Sequence, residues 1–255
     1  MHPARFSLPA YLERIGFEGR PAPDLATLRQ MMQRQVRAVP FENLDVQAGR
    51  RISIEPDDVA AKILGTERGG YCYEVNSLFA MACIAIGIPH RILGARPIVG
   101  DTRRPRSHMI VLAFVEGGEW ICDTGYGRFG LRQPFNLAGG PQVQDFDTYR
   151  VVSANDEYRI ECRLGGDESD EWNGLYTFNL SPFETADFIP ANYYNSTNPE
   201  AIFIKSLFLC RHTQTGRHVL FGDNLKTYDN GRLTQRTLAP QDIPRTVRDL
   251  FGLSM

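Results

Sequence analysis

The sequence predicts an α+β fold, with helices gathered before residue 90 and antiparallel strands after it. Three observations carry this reading. Apolar residues recur at helical spacing in four stretches, the last of which ends at Gly87. Strand-like runs separated by turn residues begin at Arg91. Nowhere do strand and helix alternate in the way that builds a parallel sheet.

The helical patterns come first. Ser7 precedes Tyr11, Leu12 and Ile15, and Gly16 stops the pattern. Asp24 caps a second helix with Leu25, Leu28, Met31, Met32 and Val36 inward, bounded by Pro40. Glu55-Pro56-Asp57-Asp58 opens a third, which buries Val59, Ile63 and Leu64 and ends at Gly65. Proline and acidic residues there suit the positive end of a helix. The fourth follows Gly69-Gly70, carries Val75, Leu78, Phe79 and Ala82, and stops before Pro89.

Strands are expected over residues 91–98, 108–115 and 119–123, with Gly117-Gly118 as a hairpin signal between the last two. Further strands are expected over 148–153, 157–163, 177–180, 202–211, 217–221 and 226–228. Gly165-Gly166-Asp167 reads as a surface loop and Asp229-Asn230-Gly231 as a tight turn. A short helix over 244–250 closes the chain.

The chain has 255 residues, of which 42% are hydrophobic, enough to bury a sizeable core in one large domain or two to three small ones. With 28 basic and 30 acidic residues the net charge is −2, so no overall positive field argues for nucleic acid or a membrane surface. The start lacks the apolar core of a signal peptide, and no apolar run reaches the roughly 20 residues that span a bilayer. Five cysteines without a CxxC pair indicate neither a zinc site nor a disulfide framework. A reduced, cytoplasmic setting and no metal are therefore expected.

Arg68-Gly69-Gly70-Tyr71-Cys72-Tyr73-Glu74-Val75-Asn76 is the sharpest local feature. Two glycines allow a tight turn, and the helical pattern starts directly after them, so Cys72 falls in a first helical turn. Unpaired N–H groups and the helix dipole favour an anion there, and the thiolate is the nucleophilic form of cysteine. Taken alone, the same residue reads more readily as packing at the start of a core helix. Cys83, Cys122, Cys162 and Cys210 lie inside apolar or strand patterns and read as packing.

A nucleophilic cysteine needs a base, and the base needs an orienting group. Of five histidines, His108 opens an apolar strand, and Asp123 ends the next one. A lone histidine there is ordinarily a strand-end residue; a carboxylate that follows an apolar strand and needs a partner changes the weighing. A two-residue loop at Gly117-Gly118 would pair Leu112 with Asp123 and hold His108 about 13 Å away along the strand. A four-residue loop, 115–118, or a bulge would pair Ile110 with Asp123 and bring the two side chains within reach. The longer loop is therefore expected, and a tight hairpin is expected to break the contact.

Gly125-Tyr126-Gly127-Arg128-Phe129-Gly130 matches G-x-G-x-x-G, but Leu131-Arg132-Gln133-Pro134 after it does not read as a helix, which argues against a dinucleotide site. The loop reads either as a plain turn or as an anion nest beside Asp123. The run from Gly100 to Ser107 holds Arg103, Arg104 and Arg106; it reads equally as a solvated loop or as a holder of a polyanionic donor.

Taken together, these residues resemble the arylamine N-acetyltransferases. The matching motifs are Pro40-Phe41-Glu42-Asn43-Leu44, Arg68-Gly69-Gly70-Tyr71-Cys72-Tyr73, Ser107-His108-Met109 and Trp120-Ile121-Cys122-Asp123-Thr124-Gly125-Tyr126-Gly127. Gly216-Arg217, Phe221-Gly222 and Leu250-Phe251-Gly252-Leu253 are also similar. The resemblance implies a helical domain over 1–90 carrying the nucleophile and a β-barrel-like domain over 91–190 carrying histidine and aspartate. An α/β lid over 191–255 completes a core of the cysteine-protease and transglutaminase kind. It implies ping-pong acetyl transfer from acetyl-coenzyme A, a cosubstrate, to an aromatic amine, hydroxylamine or hydrazine. By motif position, Cys72 is the nucleophile, His108 the base and Asp123 its orienter. Gly125, Tyr126, Gly127, Arg103 and Arg104 fall to the cosubstrate, and Phe41, Tyr71 and Tyr126 to the acceptor pocket. Glu42 and Arg68 match a supporting ion pair. Ser77 stands where the family commonly has glycine and Thr124 where it commonly has valine, and the chain is short for the family. An amide synthase of the same family, acting on a polyketide-type chain, and a transglutaminase-like hydrolase share the triad and remain alternatives.

Overall fold

The computed structural model describes residues 3–99, 102–165 and 171–255. Local capping chemistry starts and stops its first helices. In α1 (Leu8–Ile15) the Ser7 hydroxyl accepts from Ala10 N–H, and Gly16, at φ 62°, ends the helix in the left-handed conformation. In α2 (Leu25–Ala38) the Asp24 carboxylate accepts from Thr27 N–H at 2.7 Å. Then come two elements the periodicity does not announce, β1 (Phe41–Glu42) and the single turn α3 (Leu44–Gln47). Helix α4 (Pro56–Gly65) starts at its proline, and α5 (Cys72–Ile86) ends at Gly87 with φ 86°.

Helix α5 is the core of the helical part. Every residue from Cys72 to Cys83 is buried, so it is a helix enclosed on all sides rather than amphipathic. Phe79 is fully enclosed, and its truncation to alanine would cost about 3–5 kcal/mol.

The strands that follow are β2 (His90–Val99), β3 (Thr102–Arg103), β4 (His108–Val115), β5 (Gly118–Cys122), β6 (Phe135–Asn136), β7 (Gln142–Gln144), β8 (Asp147–Ala154), β9 (Glu157–Arg163) and β10 (Asn173–Phe183). Eight of them pair in the order β6-β5-β4-β2-β10-β9-β8-β7, with β3 added on β2, and every pairing is antiparallel. The result is a barrel-like sheet with α5 packed on β4 and β2. The loop expected at Gly166-Asp167, and Gly100-Asp101 in the basic run, lie outside the described residues.

After β10 the chain forms α6 (Ile189–Thr197), α7 (Ile202–Lys205), β11 (Phe208–His212), β12 (Gly216–Phe221), β13 (Asn224–Asp229), β14 (Arg232–Thr237) and α8 (Ile243–Thr246). A π-helical turn, Val247–Phe251, continues from α8. The second sheet runs β1-β11-β12-β13-β14, so its first strand comes from residue 41. The single strand expected over 202–211 is corrected: it is a helical turn, a break and a strand. Ala201-Ile202-Phe203-Ile204 is too short an apolar run for periodicity to separate helix from strand. Asn43 decides it from far away. Its amide donates to the carbonyls of Phe203 and Ser206, both at 2.8 Å, and its Oδ1 accepts from Phe208 N–H at 2.7 Å. Helix α6 and strand β14 were not expected. The Asp229-Asn230-Gly231 turn forms, with positive φ at Asn230 and Gly231.

Candidate active site

Two sequence motifs lie side by side beneath Cys72. Glu42 N–H donates to the Gly70 carbonyl at 3.0 Å, and Gly70 N–H to the Pro40 carbonyl at 3.3 Å. A Cβ on Gly69 would stand 1.8 Å from the Pro40 oxygen, so only glycine lets these segments meet. Arg68 binds Glu42 with two nitrogens, Nε to Oε1 at 2.8 Å and Nη2 to Oε2 at 3.1 Å, and reaches Asp45 with a third. Lys62 closes the cluster on Asp45 at 2.8 Å and Glu74 at 2.7 Å. Glu74 in turn accepts from Tyr71 N–H at 3.0 Å, fixing the turn that delivers Cys72. Burial, first of all, pushes the Glu74 carboxyl up to about 7, against the pull of Lys62.

Cys72 is the first residue of α5, as the glycines before it indicate, and is 4% exposed. His108 opens β4 and its Nε2 lies 2.8 Å from Asp123 Oδ2. That leaves Nδ1 clear of Asp123, and Cys72 is near enough to act on the ring's charge. Burial works against a charged imidazole here, but Asp123 and Cys72 outweigh it and push His108 up to about 10. Burial likewise works against the Asp123 carboxylate. His108, Asn76 and Gly125 N–H nevertheless hold it below the usual carboxylate range.

The contact arises in a way that overturns the expected loop. Strands β4 and β5 are joined by a two-residue turn, Glu116–Gly117, with φ of 52° and 74°. Val115 pairs with Gly118 and Val111 with Cys122. One further step sets Ile110 opposite Asp123, the register assigned to the four-residue loop. A tight hairpin and the His108–Asp123 contact therefore coexist, because the turn sits one residue before Gly117-Gly118. Glu116 takes the left-handed conformation that glycine ordinarily takes. Its carboxylate accepts from Leu25 N–H at 3.1 Å, at the start of α2.

Three polar residues complete the site and received no role from the sequence. Asn76 donates to Asp123 Oδ1 at 3.0 Å and to the Met109 carbonyl at 2.7 Å, and its own oxygen accepts from both the N–H and the hydroxyl of Thr124. Gln35 donates to the Thr124 hydroxyl at 3.0 Å and accepts from Tyr11. A buried hydrogen-bonded chain thus runs from Tyr11 through Gln35, Thr124 and Asn76 to Asp123. The signal for Gln35 was legible: it falls on the apolar stripe of α2, seven residues after Leu28, where a polar side chain must find partners. Ser77 is buried with its hydroxyl 3.6 Å from the Met109 sulfur.

The residues expected around the triad divide. Gly125 packs so closely that a Cβ would meet Cys72 Cα at 2.7 Å, and its N–H is engaged by Asp123 at 2.9 Å, not free for a phosphate. Tyr126 sets its ring against His108 and Tyr176, each 5.2 Å away between centroids. Gly127, at φ 76°, faces Phe208 and Phe41. Phe41 and Tyr71 both pack on Phe203, at 6.0 and 5.6 Å. Arg104 is exposed, whereas the side chain of Arg103 lies outside the described residues. Cys83, Cys122, Cys162 and Cys210 are buried, and burial raises every one of those thiols. Among the described residues no helix is long and apolar enough to cross a membrane, and no cluster of three metal-ligating side chains occurs.

Comparison with known proteins points one way. A family model described as N-acetyltransferase matches residues 24–255. The arylamine N-acetyltransferase of Mycolicibacterium smegmatis is 33% identical over 232 residues, covering 88% of this chain and 83% of that one. The structure of the Nocardia farcinica arylamine N-acetyltransferase superposes with a TM-score of 0.91 at 32% identity, over 100% of this chain and 92% of that one. The Mycobacterium marinum arylamine N-acetyltransferase in complex with CoA superposes with a TM-score of 0.90 at 27% identity, over 96% and 92%. A buried cysteine, histidine and aspartate brought together from an enclosed helix and a tight hairpin, in a fold shared over nearly its whole length, mean that this chain belongs to the arylamine N-acetyltransferase family.

Proposed function

We propose that the protein transfers an acetyl group from acetyl-coenzyme A to an aromatic amine, hydroxylamine or hydrazine through an acetyl-Cys72 intermediate. The observation that carries this reading is the Cys72–His108–Asp123 constellation at the start of α5. His108 takes the thiol proton, and Asp123 holds the resulting imidazolium in place. The thiolate attacks the donor's thioester carbonyl, a carbon–sulfur bond to Cys72 forms, and the coenzyme A sulfur leaves with the proton from His108. The acceptor nitrogen then attacks the acetyl-cysteine. His108 receives the nitrogen's proton and the Cys72 sulfur is released.

The reading assigns the acceptor's ring to the aromatic wall at Phe41 and Tyr71, on which Phe203 packs. It assigns the donor to the loop at Tyr126–Gly127 and to the basic run with Arg103 and Arg104. Gly125 serves by letting that loop reach Cys72. Residues 1–90, 91–190 and 191–255 act as the nucleophile-bearing, base-bearing and lid domains, and the protein works in the cytoplasm. The likeness to a relative solved in complex with CoA supports the donor.

Incubation with acetyl-coenzyme A, followed by intact and peptide mass spectrometry, tests the reading. One acetyl group on Cys72, discharged by an arylamine, is the expected result. A Cys72→Ser variant is expected to fold normally and to lose turnover; a variant that keeps most of its activity would refute the mechanism.

A further inference from the structure

An acetyl-cysteine has to last until an amine arrives, and water is the competing nucleophile. Exclusion of water is therefore part of the task of any site that works through such a thioester. On the side of α5 where Tyr71 and Tyr73 flank Cys72, a helix lies against both tyrosines. Both tyrosines are buried, with their rings edge-to-face at 5.1 Å. Their hydroxyl groups do not reach solvent; each meets an asparagine of α6.

The Tyr71 hydroxyl donates to Asn192 Oδ1, and the same amide donates to the Ile52 carbonyl at 2.9 Å. Three residues on, Asn195 donates to the Tyr73 hydroxyl at 3.0 Å. That hydroxyl donates onward to the carbonyl of Ser107, the residue before His108, at 2.7 Å. Spacing of three puts both asparagines on one face of the helix. Phe188, just before α6, packs its ring on Tyr73 at 5.4 Å. The outer face of the helix carries Tyr193, which is 70% exposed. One side of α6 is thus bonded to the two neighbours of the nucleophile, and through the Tyr73 hydroxyl it is linked to the residue before the base.

We propose that Asn192 and Asn195 are positioning residues that hold α6 down on Tyr71 and Tyr73 and thereby keep water from acetyl-Cys72. This rests on the acyl-enzyme reading above. Without the clamp, water attacks the thioester carbonyl, acetate leaves with the added oxygen, and Cys72 recovers its proton. The amine transfer step, which uses the same His108, is affected far less.

The experiment loads wild type and variants with acetyl-coenzyme A, removes the excess, and follows the acetyl-Cys72 mass without amine and then with aniline. Asn195→Ala and Tyr73→Phe break one contact from its two ends. Each is expected to shorten the adduct's lifetime in water about five- to tenfold, the effect of one lost hydrogen bond, with transfer to aniline within about threefold. The double variant adds little to either single one. Asn192→Ala behaves alike, and Tyr193→Ala, on the outer face, leaves the lifetime unchanged. Should one variant not fold, the other end of the same contact still gives the measurement. A wild-type chain that takes up no acetyl group overturns the acyl-enzyme reading and the clamp with it. A stable wild-type adduct with unchanged lifetimes in the folded variants, or hydrolysis and transfer altered equally, overturns the clamp alone.

Discussion

Asp123 and Asp147 are both almost entirely buried carboxylates, each held by at least one basic side chain and a backbone N–H, yet their partners differ. Asp123 accepts from His108, Asn76 and Gly125 N–H. Asp147, at the start of β8, accepts on Oδ2 from Arg132 Nη2 at 2.8 Å and from Arg217 Nη1 at 2.7 Å, and on Oδ1 from Gly165 N–H at 3.0 Å. Arg217 belongs to β12, so this second carboxylate ties the barrel-like sheet to the C-terminal sheet. Burial opposes the charge on both, and the cations overcome it on both, so both carboxyl groups stay below the usual range. The difference is the partner. A guanidinium keeps its proton at any accessible pH, whereas an imidazole can give one up. The same buried design ties two sheets together in one place and holds a group that can exchange a proton in the other.

Exchange of the carboxylates for amides separates the two roles. Asp123→Asn keeps the shape but cannot hold an imidazolium, and it is expected to slow acetylation of Cys72 by about 10³–10⁴-fold. Its thermal midpoint should fall less than that of Asp147→Asn, because His108 can shed its proton when the carboxylate is gone, and single-turnover acetylation beside a melting curve measures both. An activity loss under tenfold would break the contrast. Asp147→Asn leaves the Arg132 and Arg217 guanidinium groups facing each other with Asp145, 2.9 Å from Arg132, as the remaining carboxylate, which costs about 3–5 kcal/mol of stability. Denaturant titration measures that loss, while the acetylation rate of the folded fraction stays near wild type.

The smallest effect is the pH dependence, and its sign differs between the sites. His108 stands above its ordinary value, so its contribution to stability is complete below about pH 6.5 and is lost as the pH rises through about 10. Asp123 and Asp147 stand below theirs, so their contributions are present above the ordinary carboxylate value and are lost as the pH falls. The catalytic pair therefore weakens on both limbs and the Asp147 cluster on the acid limb alone. In melting curves from pH 4 to 10, His108→Gln should flatten the alkaline limb, and Asp147→Asn should leave that limb's slope unchanged.

Much of this was legible before any coordinates. The four long N-terminal helices carry their own start and stop chemistry at Ser7, Asp24, Pro56 and Gly87, which local sequence expresses directly. Cys72 was legible because glycines and a helix start surround it, and His108 and Asp123 because each bounds an apolar strand. The C-terminal third was less so. Residues 202–211 have no periodicity of their own, and Asn43 sets their helix end and strand start across the fold. Helix α6 has weak amphipathic patterning, yet it contributes the two asparagines that grip Tyr71 and Tyr73.

The sequence alone determined the helical and strand-bearing halves and singled out Cys72, His108 and Asp123 as candidates, because those readings depend on residue type within a few positions. Tertiary structure decided the register of the β4–β5 hairpin, where Glu116 adopts a glycine-like conformation and reaches Leu25. It also decided the sheet built from β1 with β11, and the buried chain from Tyr11 to Asp123. Those features join residues far apart in the chain, and only the folded arrangement brings their donors and acceptors within bonding distance.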